Sequence, residues 1–386
     1  MKKIYKLILG LLVVCLIIVV KDIYQHREAK KEQAESYIQK QQSQNKQVQN
    51  KQTSSKSFHE SNDIDKYLKS KGFNGNITIY KNNRPIMSKA YGFKDIENGV
   101  LNDAKSMYLL GSANKFITGL MLRELEEQGV ININDNVNKY IPIFQNIYPI
   151  TIKDLMLHRS GLAKVNFPPT VRGLNGAIES IKLNGVVSQN YHKYFYNDAN
   201  YITIAKVIEN ATHKSYKQNL NELIINKAHL KYTARYDSIN HQQYMVKGYK
   251  VINNQSIYHH PLTLDKYDGA GNVYISTDDM AKLVNQFKNK QILNGSSTDI
   301  LLSQIDTHIF PSSYRYGFYR YPYHQRYRGI FYHNDFVTFS NDQYIVSIAS
   351  NKLNEPYQSD LENMLKHIFR VDFIINLATF RQKNAT

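Results

Sequence analysis

Ser112 and Lys115 stand three residues apart at the head of the run Phe116-Ile-Thr-Gly-Leu-Met-Leu-Arg-Glu-Leu125. Ile117, Leu120, Met121 and Leu125 keep a helical period, and Gly129 supplies a stop, so Ser112 is expected in the first turn of a helix with a buried face. Three residues along a helix is close to one turn, which puts the amine beside the hydroxyl. An alcohol is a poor nucleophile at neutral pH and needs a base. An amine whose charged form is disfavoured by burial can serve. The positive end of the helix favours a developing alkoxide or oxyanion. The spacing recurs by chance, and a helix cap is the bland use of Ser112. The chemical reading is a serine nucleophile for acyl transfer.

Several elements must position this pair. An amphipathic helix is expected over Ile64–Lys71, then strands Asn76–Tyr80 and Pro85–Gly92 joined as a hairpin through Lys81-Asn-Asn-Arg84. Tyr108–Leu110 leads into the Ser112 helix. Thr151–Gly161 reads as a short helix ending at its glycine, 162–191 as loop plus one helix, and Ile202–Glu209 as a periodic helix; another helix ends near Leu230. Tyr267–Met280 reads as a glycine-rich loop feeding a capped helix. Strands return at Tyr314–Tyr321, Ile330–Ser340 and Gln343–Ala349, and a helix from about Pro356 to Phe369 closes the chain. Strands at both ends with helices between imply an α+β fold, an antiparallel sheet flanked by helices with a helical subdomain beside it.

The chain has 386 residues, 42% of them hydrophobic, enough to bury a core. Its 49 Lys and Arg against 32 Asp and Glu leave a net charge of +17, which calls for a polyanionic neighbour. No zinc-finger spacing, RNP-like run or dense basic block is present, so nucleic acid is not expected. The single Cys15 rules out an internal disulfide.

Cys15 lies in the apolar run Leu7–Val20, preceded by Lys2, Lys3 and Lys6 and followed by no small-x-small cleavage site. We read 1–20 as a signal anchor or signal peptide, 21–62 as a polar Gln/Lys/Ser/Asn tether, 63–370 as the folded domain and 371–386 as a tail. The N-terminal lysines place the domain outside the membrane. An exported protein without disulfides suits the outer face of a Gram-positive cell membrane.

Three stretches together resemble one family. Gly111-Ser-Ala-Asn-Lys115 is similar to the nucleophile motif of the serine β-lactamase and penicillin-binding-protein superfamily. Thr151-Ile-Lys-Asp-Leu-Met-Leu-His-Arg-Ser-Gly-Leu162 resembles a signature of its class C branch, and Tyr196-Asn-Asp198 sits where that branch has Tyr-x-Asn. The resemblance spans roughly Asp63 to Phe369 and implies a β-lactamase/transpeptidase-like fold. Within the branch the likeness is greatest to esterases that remove D-alanine from teichoic acid, with which the anchor, tether and basic charge agree.

The resemblance implies roles. Ser112 is the acylated nucleophile and Lys115 its base. Tyr196 protonates the leaving alcohol and then activates water, provided a lysine stands near its phenol. Asp198 departs from the family, which commonly has an asparagine there; a carboxylate is acceptor-only when ionised. No Lys-Thr-Gly appears in the late strands, the element that binds the substrate carboxylate in penicillin-recognising members, and the nearest candidate is Tyr332-His-Asn-Asp335. A D-alanyl ester presents an ammonium and no carboxylate, so both departures favour it. Asp198 is expected to bind that ammonium or else to hold Lys115 or Tyr196 in register. His333 is a candidate for the far wall of the site, a solvent-facing strand position being the alternative, and His158 is expected to be structural. The oxyanion hole is expected from the Ser112 N–H and one near His333.

His259-His260 lack a third ligand at metal spacing, so neither metal nor cofactor is expected. Expected partners are an anionic wall polymer of the teichoic acid kind, the membrane through the N-terminal segment, and β-lactams as further candidate ligands. The rival readings are a D,D-carboxypeptidase or low-affinity penicillin-binding protein, and a wall-binding module without catalysis.

Overall fold

Asn82 and Asn83, both at positive φ, turn the chain between β1 (Gly75–Lys81) and β2 (Arg84–Tyr91), as the Asn-Asn pair predicts. The computed structural model describes residues 61–145, 148–303, 313–321, 324–354 and 361–369. The expected anchor at 1–20, all but the last two residues of the tether and the tail lie outside these. Among the described residues no helix is long and apolar enough to cross a membrane.

Four late strands complete the main sheet: β3 (Tyr319–Tyr321), β4 (His324–Phe331), β5 (Asn334–Ser340) and β6 (Tyr344–Ser350). Their order is β3-β4-β5-β6-β1-β2, antiparallel throughout, with Ile77 opposite Ile348 where the two ends of the fold meet. The expected α+β architecture is what forms. Both faces of the sheet are covered. On one, Ile77, Ile79, Val337, Phe339, Val346 and Ile348 pack against Ile64 and Leu68 of the helix Ser61–Ser70 and Leu361 and Leu365 of the helix Leu361–Phe369. On the other lies the helix Thr277–Lys288, whose Thr277 hydroxyl meets Thr78 of β1 at 2.9 Å.

Two late strands differ from expectation. The run Ile330–Ser340 is broken at Tyr332 and His333, which adopt positive φ and turn β4 into β5. Neither residue is one that usually marks such a turn, so the unbroken hydrophobic pattern conceals it. Tyr314–Phe318 is not a strand. Gly317 there has φ +86, and a Cβ on it would fall 2.1 Å from the Lys115 carbonyl carbon, so this segment lies directly on the nucleophile helix.

That helix, Asn114–Glu127, is buried on all sides from Asn114 to Leu122. Phe116 anchors it, its ring 4.5 Å from Tyr327 of β4, 5.6 Å from Phe318 and 5.4 Å from Phe287. Truncating such a side chain to alanine costs about 3–5 kcal/mol. The helical layer behind it holds the helices Gly173–Asn184 and Asp198–Thr212, whose Ile178, Ile181, Ile202, Ile204 and Ile208 share one core with Leu120 and Leu155.

Candidate active site

Gly111–Ala113 forms a 3-10 turn running into the helix Asn114–Glu127, so Ser112 occupies the first turn as its spacing predicts. The first N–H groups of a helix have no intrahelical acceptor, and the Ser112 amide is one of these. The cap positions of the turn and of the helix fall on Leu110 and Ala113, not on Ser112, whose Oγ accepts from Lys115 Nζ at 3.1 Å.

Lys115 is fully buried. Its ammonium also donates to Asp198 Oδ1 at 2.6 Å and to the Ala270 carbonyl at 3.3 Å, and lies 5.0 Å from the centre of the Tyr196 ring. Burial opposes the charge, but the Asp198 carboxylate and the Tyr196 phenol outweigh it and push the lysine above its ordinary value. This corrects the expectation that burial would leave the amine neutral. Lys115 is an ammonium flanked by a hydroxyl, a carboxylate and a phenol.

Tyr196 and Asp198 reach this point because the helix Asp198–Thr212 starts four residues earlier than its apolar period suggests. Asn197 caps it, accepting from the Ala199 N–H at 3.0 Å, and Asp198 takes the first helical position, where the dipole favours a carboxylate. His158 holds the approach. Its carbonyl accepts the Phe195 N–H at 2.8 Å, its Nδ1 accepts the Asn197 N–H at 3.2 Å, and its ring stands 4.4 Å from Tyr196. Accepting at Nδ1 places the proton on Nε2 of a neutral ring. Burial, with Lys115 nearby, holds His158 well below the usual histidine value. The structural role expected of His158 is therefore to seat the Tyr196–Asp198 segment. It stands at positive φ, ending the helix Ile152–Met156 before Gly161 is reached.

The opposite side of the Ser112 turn is β4. A Cβ on Gly329 would fall 2.0 Å from the Leu110 carbonyl oxygen and 2.5 Å from the Ser112 nitrogen, and one on Gly111 would meet Ile330 and Phe331. What abuts the nucleophile is therefore Gly329 to Phe331. His333, the sequence candidate, sits beyond them in the turn, 1% exposed, its Nδ1 2.9 Å from His259 Nδ1. It is neither on a strand nor facing solvent. Beneath Lys115 runs the loop Asp268-Gly-Ala-Gly-Asn272, pinned by Asp268, which accepts from Arg235 Nε at 2.7 Å and from Asn272 Nδ2 at 2.7 Å.

Sequence reasoning missed Gly329, Tyr267 and Phe331. The first carried a signal, since a glycine inside a strand run marks close backbone approach. The two aromatics carried none in a chain with 30 tyrosines and 16 phenylalanines.

The family model described as Beta-lactamase matches residues 62–368. The Teichoic acid D-alanine hydrolase of Staphylococcus aureus is 42% identical over 306 residues, covering 79% of this chain and 76% of that protein. The crystal structure of FmtA from Staphylococcus aureus matches with a TM-score of 0.76 at 42% identity, over 80% of this chain and 84% of that one. A penicillin binding protein from Bacillus halodurans matches at 0.66 with 16% identity, over 79% and 98%, a likeness of fold alone. A fold with the sheet and helices of these neighbours, a match across most of the chain and a serine and lysine sharing one helix turn lead to one conclusion: the chain belongs to the β-lactamase family.

Proposed function

We propose that this chain is a serine hydrolase that removes D-alanyl esters from teichoic acid through an acyl-enzyme on Ser112. The observation that carries the reading is the contact chain from Ser112 Oγ through Lys115 Nζ to Asp198, with Tyr196 against the same ammonium. The similar Staphylococcus aureus protein bears the name of this activity, which supports the choice of substrate.

Ser112 Oγ attacks the ester carbonyl while Lys115 Nζ takes its proton and passes one on to the Asp198 carboxylate. The tetrahedral oxyanion is met by the Ser112 N–H and a backbone N–H of β4 beside Gly329. Tyr196 then hands its proton to the leaving alkoxide of the polymer. Water repeats the sequence in reverse, giving up its proton to Tyr196, and free D-alanine departs. Asp198 keeps Lys115 charged, and its remaining oxygen receives the alanyl ammonium.

In this proposal an N-terminal anchor holds the domain on the outer face of the cell membrane, and surplus lysines and arginines keep it on the phosphates of the polymer. Purified wild type should release free D-alanine from teichoic acid and Ser112→Ala should not. Release that survives the substitution sinks the assignment, and stoichiometric acylation by penicillin at low concentration without D-alanine release would favour a penicillin-binding protein.

A further inference from the structure

Asp198 is one carboxylate with two cations to serve. Its Oδ1 is taken by Lys115 at 2.6 Å, and its side chain is 45% exposed, with no second hydrogen-bond donor among the described residues. In an alanyl acyl-enzyme the substrate ammonium lies three covalent bonds from Ser112 Oγ, close to the Lys115 ammonium. A carboxylate shared between them cannot compensate both charges fully. Nearby π faces can add attraction for the second cation.

Aromatic rings stand there, brought from separate segments. Phe331, at the end of β4, lies with its Cβ 3.0 Å from where a side chain on Gly111 would begin, next to the nucleophile. Its ring is 4.9 Å from that of Tyr267, which follows the buried Lys266 and leads into the glycine loop under Lys115. Phe167 meets Tyr267 edge to face at 5.6 Å. All three are partly exposed. Burial first and the Asp198 carboxylate second push the Tyr267 phenol up to about 12. It is a neutral ring at working pH. It offers π electron density without adding a titrating anion.

We infer that the free ammonium of an aminoacyl ester is received between Asp198 and the rings of Tyr267 and Phe331, forming a cation pocket that selects α-amino acyl groups over uncharged acyl groups of the same shape. The inference rests on the esterase reading and names the residues that would set its acyl specificity. A ring face attracts a cation through its quadrupole, most strongly where water is excluded. Gly271 leaves room for this wall, since a Cβ there would come within 3.3 Å of Phe331 Cδ1.

The test compares the D-alanyl and D-lactyl esters of one chromogenic alcohol, which differ by an ammonium against a hydroxyl. The readout is the ratio of their kcat/KM values in wild type, Tyr267→Leu, Phe331→Leu and Tyr267→Phe, with phosphonylation of Ser112 by a neutral fluorophosphonate, fluoride leaving, reporting a folded site. The ratio should fall roughly three- to thirty-fold in each leucine variant, through KM for the alanyl ester, and Tyr267→Phe should keep it, because the ring remains. A ratio unchanged in both leucine variants overturns the pocket, as does a fall in Tyr267→Phe equal to that in Tyr267→Leu. Wild type that cleaves both esters alike overturns the pocket and spares the hydrolase. Wild type that cleaves neither sinks the esterase reading itself.

Discussion

Lys115 and Asp198 meet at 2.6 Å with opposite exposures, the lysine side chain at 0% and the aspartate at 45%. The pair is therefore asymmetric. Removing the carboxylate strands a buried cation, whereas removing the amine leaves an anion that water still reaches.

The two deletions should differ in cost. Asp198→Ala should lose about 3 kcal/mol of unfolding free energy, the scale of a buried charge left without its partner. Lys115→Met should lose less than about 1 kcal/mol, since Asp198 stays solvated. Urea titrations at pH 7 check this, and equal losses would mean the pair is not asymmetric. The sign with pH follows from the raised lysine: its contribution is intact below the unfolded value near 10.5 and fades as pH climbs past that toward the folded one.

Gly329→Ala should inactivate the enzyme with only a modest loss of stability. The added Cβ meets backbone atoms, the Leu110 oxygen at 2.0 Å and the Ser112 nitrogen at 2.5 Å, so the nucleophile turn itself must shift. Overpacking of this kind costs about 1–3 kcal/mol, while a displacement near 1 Å at the reacting group costs on the order of 100-fold in rate. The measurement is kcat on a small ester beside a thermal melt. Wild-type kcat would show that β4 does not position Ser112.

His158 should make folding acid-sensitive. Its folded value lies well below 6.5, so its contribution is present above pH 6.5 and is lost as pH falls, when the unfolded chain takes up a proton the native ring refuses. The slope is about 1.4 kcal/mol per pH unit for one such group. His158→Asn keeps an acceptor near the position of Nδ1 and cannot be protonated. Urea midpoints between pH 7 and 5 should decline less steeply in this variant than in wild type, and parallel slopes would count against a buried neutral histidine.

Attachment to the polymer should depend on salt where hydrolysis of a small ester does not. Screening shortens from about 10 Å at 0.1 M to about 3 Å at 1 M, which weakens a diffuse basic surface more than it weakens the contact to the fully buried Lys115. KM for teichoic acid should rise steeply across that range while KM for a chromogenic alanyl ester stays nearly constant. Parallel behaviour would remove the net charge of +17 from the account of polymer recognition.

What the sequence by itself determined is local. The helical period after Ser112, the stop at Gly129 and the Asn82-Asn83 hairpin each depend on neighbours within one or two turns of chain, and all form where the residue types place them. The proximity of Ser112 and Lys115 belongs to this class, because three residues on a helix is a fixed distance.

Only the tertiary structure decided what Lys115 is. Burial alone pushes an amine toward neutrality, and a carboxylate 83 positions away reverses the sign. That reversal depends on where the helix Asp198–Thr212 begins, which Asn197 settles by a local cap and His158 by a hydrogen bond across the fold. The late strands followed the same rule. An unbroken apolar run concealed the turn at Tyr332 and His333, because backbone hydrogen bonding between β4 and β5, and no local turn residue, fixes where the chain reverses. Gly329 was visible as a letter, but its purpose lies in the space it leaves for a helix turn that pattern reading cannot bring beside it.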